Sequence, residues 1–181
     1  MKGSIFYVSV LLLLCGCELE KEEEVANKKE EEVANKKCPD LSNIEVLVNA
    51  VNSARSIPRM CGTTSYNAAP PLKWNDKLAV AAKSHSSDMA QNNFFEHTGS
   101  NGLKVWDRSE NAGYNNRTSS GENIYAGLTT LEGVMSGWLE SPGHCANIMN
   151  PSYKDYALAC VDKEKTDYET YWTQVFGTQK E

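Results

Sequence analysis

The chain has 181 residues, 40% of them hydrophobic and 23% charged, with a formal net charge of -6 at pH 7. That length and apolar content suit one ordinary domain with a sizeable core and leave little room for two. The acidic balance, with no cluster of Lys and Arg, excludes nucleic acid as the main partner, because phosphate binding relies on grouped cations that release counterions.

The first residues carry a compartment signal. Met1-Lys2 gives a short positive start, Ile5 to Leu14 an apolar run too short to span a bilayer as a mature helix, and Leu14-Cys15-Gly16-Cys17 follows at once. This resembles a bacterial lipoprotein signal with its lipobox. The resemblance implies that residues 1–16 are removed and that Cys17 bears lipid, anchoring an extracytoplasmic protein to a bacterial cell membrane or outer membrane. Two or three acyl chains suffice for stable anchoring at about 0.8 kcal/mol per buried methylene. Residues 17–37 then read as anchor and tether, since KEEEVANK occurs twice, at 21–28 and 29–36. An eight-residue period matches neither 3.5 nor 3.6, so the pairs Val25-Ala26 and Val33-Ala34 drift around any helix and build no seam. Glu24 with Lys28 and Glu32 with Lys36 favour partial helicity in a solvated spacer. The folded domain is expected over residues 38–181. It holds Cys38, Cys61, Cys145 and Cys160, an even number in an exported chain, which predicts two disulfides with three possible pairings.

Leu41, Ile44, Val48 and Val51, with Leu47 alongside, predict an amphipathic helix over Asp40 to Arg55. A polar loop through Cys61-Gly62 leads to Pro70-Pro71, after which Asn75 or Asp76 caps a long helix ending near Asn92-Asn93. His85 lies on that helix among Leu78, Ala81, Ala82, Met89 and Ala90, where a hydrogen-bonded, semi-buried role is expected. His97 follows in a loop just ahead of two glycines, a setting from which side chains reach across clefts. A short helix over Leu103 to Asn111, closed by Gly113, precedes a strand-like run from Ser119 to Gly127. Glu122 in that run needs a partner, because an unpaired buried charge costs several kcal/mol or neutralises itself. Thr130 starts the next helix, and Pro142-Gly143 opens another that places His144 at its N-terminus. Tyr156 to Val161 and Tyr171 to Phe176 read as a hairpin, with Gly177 closing the fold.

Four segments, HSSDMAQNNFFEHTGSNG, SGENIYAG, WLESPGHCANIMNP and YWTQVFG, stand in this order between Leu41 and Gly177. Together they resemble the CAP superfamily of cysteine-rich secretory proteins, antigen 5 and pathogenesis-related 1 proteins, whose module is the SCP domain, and its bacterial branch in particular. The resemblance implies an α+β fold, a three-layer α-β-α sandwich with a central, largely antiparallel sheet. It also implies the pairing of Cys61 with Cys145 and of Cys38 with Cys160. In that family two histidines and two acids line a cleft able to hold a divalent metal such as zinc. The matching positions are His97, Glu122 and His144; Ser141 stands where the second acid is expected, and Glu140 is one residue early, about 100° away on a helix. Two His and one Glu leave a fourth position for a water, which zinc acidifies towards pH 7. Glu122 and Glu140 are therefore the catalytic candidates, and Ser141, Asn123 and Gln174 are expected to line the cleft. Trp74, Trp138 and Trp172 are expected in the core or cleft wall, with Trp106 at a groove edge. Ser141 and Cys145 lie in no nucleophile elbow, and Cys145 is expected in a disulfide. The favoured function is a non-catalytic module that binds a lipid, glycan or peptide. The alternative is a zinc-dependent hydrolase, weakened by the missing base.

Overall fold

The computed structural model describes residues 37–180. The expected signal, lipidation site and tether up to residue 36 lie outside the described residues. Among the described residues, five helices and six strands run in the order α1 (Ile44–Arg55), β1 (Arg59–Cys61), β2 (Thr64–Tyr66), β3 (Lys73–Trp74), α2 (Asp76–Asn92), α3 (Val105–Asn111), β4 (Arg117–Ala126), α4 (Leu131–Glu140), α5 (Pro142–Met149), β5 (Asp155–Asp162) and β6 (Thr170–Gln179).

Helix ends follow local chemistry. The side chain of Asn43 accepts from the Val46 N–H, so α1 begins at Ile44, later than the apolar spacing suggests. Asn75 caps α2 by accepting from Lys77 and Leu78, and Asn93 ends that helix in the left-handed conformation. Thr130 caps α4 through the Gly133 N–H. Pro142, with no N–H to leave unpaired, opens α5 and puts His144 in its first turn. The expected polar loop after α1 instead contains the β1–β2 hairpin, turned at Gly62 with a positive φ.

Four strands form one sheet in the order β3-β5-β6-β4, antiparallel except for the short parallel pairing of β3 with β5. Side chains alternate between its two faces. On one face, Ala157, Ala159 and Val175 meet Leu78 and Ala82 of α2. On the other, Tyr156, Leu158, Trp172 and Phe176 join Leu47 and Val51 of α1, Val134 and Trp138 of α4, and Ile148 of α5. This is the expected three-layer α+β sandwich. Trp138 and Trp172 are fully buried, whereas Trp106 is 40% exposed. Gly177 does not close the fold. It lies inside β6, where an added Cβ would stand 2.6 Å from the Tyr114 ring.

Among the described residues there are two disulfides, Cys38–Cys160 and Cys61–Cys145, with Cα atoms 5.8 and 5.4 Å apart. The second fixes the first turn of α5 against β1. Behind α5, the guanidinium of Arg55 is fully buried and donates to the carbonyls of Pro70, Ile148 and Asn150. Burial lowers its pKa to about 10, and its bonds tie α1 to the end of α5.

Candidate functional site

Glu122 occupies the middle of β4, an edge strand, opposite Val175 of β6. Two residues on, Ile124 points to the same face and packs with Met89 and Ala90 of α2, so Glu122 also faces the α2 layer. Its residue is only 7% exposed. Arg108 of α3, equally buried at 7%, supplies the partner the carboxylate requires: one guanidinium nitrogen donates to Glu122 Oε2 at 2.6 Å and to the His97 carbonyl at 3.1 Å. The other donates to the Leu103 carbonyl at 2.6 Å. One cation thus neutralises the acid and also holds two points of the loop that carries His97.

His97 donates from Nδ1 to Glu122 Oε1 at 2.8 Å, and its side chain is 57% exposed. The hydrogen bond to Glu122 raises its pKa above the ordinary value, against a smaller opposing effect of burial. His144 approaches from α5, on the other side of the sheet. Burial, and then the charge of nearby His97, lower its pKa. Its Nδ1 is enclosed and has no hydrogen-bond partner among the described residues. Below them His85 of α2 is fully buried, donates from Nε2 to the Glu96 carbonyl at 3.0 Å and stands 3.9 Å from Glu122 Oε1. Burial lowers its pKa too.

Under β4 lies an amide network. Asn123 donates to Gln174 Oε1 at 2.8 Å and to the His144 carbonyl at 3.1 Å. Asn147 donates to Asn123 Oδ1 at 2.9 Å and to the Glu122 carbonyl at 3.0 Å. Asn123 and Gln174 are fully buried, forming the floor that sets the position of α5 against β4. Ser141 joins α4 to α5 and accepts the Cys145 N–H on its carbonyl. Glu140 is exposed and accepts from Ser136 one turn back along α4, with no bond to the cluster.

His97, Glu122 and His144 do not fit a divalent metal as three direct ligands. Both oxygens of Glu122 are engaged, one by a guanidinium whose charge would face the ion. Among the described residues no three His, Cys, Asp or Glu side chains are grouped to hold one. The bond from His97 to Glu122 is instead the kind that orients an imidazole and leaves Nε2 outward. Cys145, bonded to Cys61, offers no thiolate. Arg108, His85 and Asn147 were not among the expected site residues. The expectation that Glu122 needs a partner did not say which residue supplies it, and the docking of α3 on β4 leaves no periodic signal.

These environments give a definite titration order. Measured by NMR across pH 5 to 9, His97 should protonate at the highest pH, and Glu122→Gln should bring it back towards the ordinary histidine value. His85 and His144 should titrate below it. For stability the signs oppose. The contribution of His97 is full below the unfolded pKa and is lost as pH rises through its folded value. Those of His85 and His144 are present above the unfolded pKa and lost as pH falls through theirs. Protonation of His144 above His97 would contradict the geometry.

A groove of about 810 Å³ lies elsewhere, between α1 and α4. Val46, Ala50, Leu131, Met135 and Leu139 make its apolar lining, with Pro39 beside them and Asn49, Ser53 and Ser136 also lining it. None of the three histidines lines it.

A model of the cysteine-rich secretory protein family (CAP) matches residues 48–176. The uncharacterized protein YkwD of Bacillus subtilis is 32% identical over 106 residues, which cover 59% of this chain and 39% of YkwD. The chain therefore spans about two fifths of the length of that relative. Among solved structures, an extracellular protein containing a SCP domain from Bacillus anthracis is 29% identical with a TM-score of 0.53, over 62% of this chain and 35% of the other. An outer surface protein from Borrelia burgdorferi shares the fold at 19% identity and a TM-score of 0.64, over 78% of this chain and 97% of that one.

Proposed function

The chain belongs to the cysteine-rich secretory protein (CAP) family, and from that premise we propose that it is a non-catalytic, extracytoplasmic binding module whose α1–α4 groove takes the acyl chain of a lipid. The groove carries this reading. Its volume falls within the range of small-molecule sites, its lining is mostly apolar, and Asn49, Ser53, Thr130 and Ser136 offer neutral hydrogen-bonding groups beside one acid, Glu132. Two disulfides and the extracellular relative support export, and the signal-like N-terminus supports lipid anchoring at Cys17 to a bacterial membrane. No helix among the described residues is long and apolar enough to cross a membrane.

The hydrolase reading lacks a free base. Glu122 is held by Arg108 and His97, Glu140 is bonded outside the cluster, and Cys145 is in a disulfide. His85, His97 and Arg108 are assigned instead to holding the loop after α2 against β4. Displacement of a fluorescent fatty acid tests the division of labour. Ala50→Phe, which fills the groove, should weaken binding at least tenfold, while His97→Ala and His144→Ala should leave it within about twofold. Loss of binding in the histidine variants with full binding in Ala50→Phe would overturn the assignment.

A further inference from the structure

A second, polar pocket of about 310 Å³ opens where α3 overhangs the start of β4, lined by Trp106, Arg117, Thr118, Ser119 and Ser120. We propose that it binds one neutral pyranose unit of a glycan, stacked on Trp106 and hydrogen-bonded by Arg117 and the hydroxyls of β4. Trp106 has no core to fill: it is 40% exposed, while Trp138 and Trp172 are fully buried. The Lys104 ammonium stands over the ring, 5.1 Å from its centroid. An aromatic face beside a guanidinium and strand hydroxyls matches the apolar C–H face and the hydroxyl rim of a sugar ring, although Thr118 Oγ1 already donates to the Thr178 carbonyl at 3.3 Å.

The strand is shaped for the task. The register of β4 against β6 shifts between Arg117 and Ser119, leaving Thr118 as the extra residue of a bulge, a feature that re-aims side chains at a sheet edge. Ser119 Oγ is enclosed and has no hydrogen-bond partner among the described residues, so it can both donate and accept. Arg117 uses one nitrogen on Glu110 Oε2 at 3.3 Å and keeps further donors, and the pair offers donors and acceptors side by side. Glu110 offsets the charge of Arg117 at the edge of the pocket. Its volume lies at the lower end of ligand sites, enough for one ring and not for a buried oligosaccharide. The pocket shares no lining residue with the α1–α4 groove, so this site stands or falls separately from acyl binding.

Saturation-transfer NMR on the full chain tests it, with the methyl pyranosides of glucose, galactose, mannose and N-acetylglucosamine, and of glucuronic acid, as probes. At least one neutral sugar should receive saturation on its ring C–H protons. The signal should fall at least fivefold in Trp106→Ala and in Arg117→Met, return in part in Trp106→Phe, and persist in Ala50→Phe. Unchanged circular dichroism shows that the variants remain folded, and Trp106→Phe carries the comparison if Trp106→Ala does not fold. Transfer to none of the neutral sugars, transfer to glucuronate alone, or full transfer in the Trp106 variants would overturn the proposal.

Discussion

Arg108→Met should lower the free energy of unfolding by about 3–5 kcal/mol, because it strands a buried carboxylate. Arg108 and Glu122 are each 7% exposed and meet at 2.6 Å. Methionine keeps the apolar volume and removes the charge, leaving Glu122 only the bond from His97. The same change frees the Leu103 and His97 carbonyls from their shared donor, so the loop between them should loosen. A double-mutant cycle with Glu122→Gln separates the two effects. The double variant should recover more than 1 kcal/mol over Arg108→Met, since a neutral amide tolerates the site better than an unpaired anion. Urea unfolding reads this directly. An Arg108→Met protein as stable as the wild type would show that solvent reaches Glu122 and that the pair is no anchor.

Removing the Cys61–Cys145 bridge with paired alanines should cost about 2–5 kcal/mol, as expected for a link that closes a long loop in the unfolded chain. Its two residues are 84 apart, and those of Cys38–Cys160 are 122 apart, so chain entropy alone ranks the two bridges as near equals. Their positions differ. Cys145 follows His144 in the first turn of α5, whereas Cys38 ties the domain's first described residues to β5. Loss of Cys61–Cys145 should therefore shift the NMR titration of His144 towards the ordinary histidine value as that turn loosens. Loss of Cys38–Cys160 should leave it in place. Equal shifts from both would mean that the bridge does not control the helix start.

Much of the sandwich was legible because it rests on local rules. The apolar spacing of Leu47 and Val51, the caps at Asn75 and Thr130, and Pro142 at a helix start are each written in a few adjacent residues. The β1–β2 hairpin was not, because its strands are three residues long and half of its side chains are exposed, with no alternation to read. His97, Glu122 and His144 could be singled out from the motifs. What Glu122 does could not, because its use depends on Arg108 reaching it from a separate helix. His85 was rightly expected to be hydrogen-bonded but proved fully buried, within 3.9 Å of Glu122. The groove was hidden for a related reason: Val46 and Leu139 look like ordinary members of two amphipathic faces, and only the spacing of α1 from α4 leaves room between them.

Native mass spectrometry of the protein incubated with a 16-carbon fatty acid addresses the binding-module reading most directly. The expected result is one adduct per chain in the wild type and in His144→Ala, and none in Ala50→Phe. No adduct in the wild type, or an equal adduct in Ala50→Phe, would contradict it.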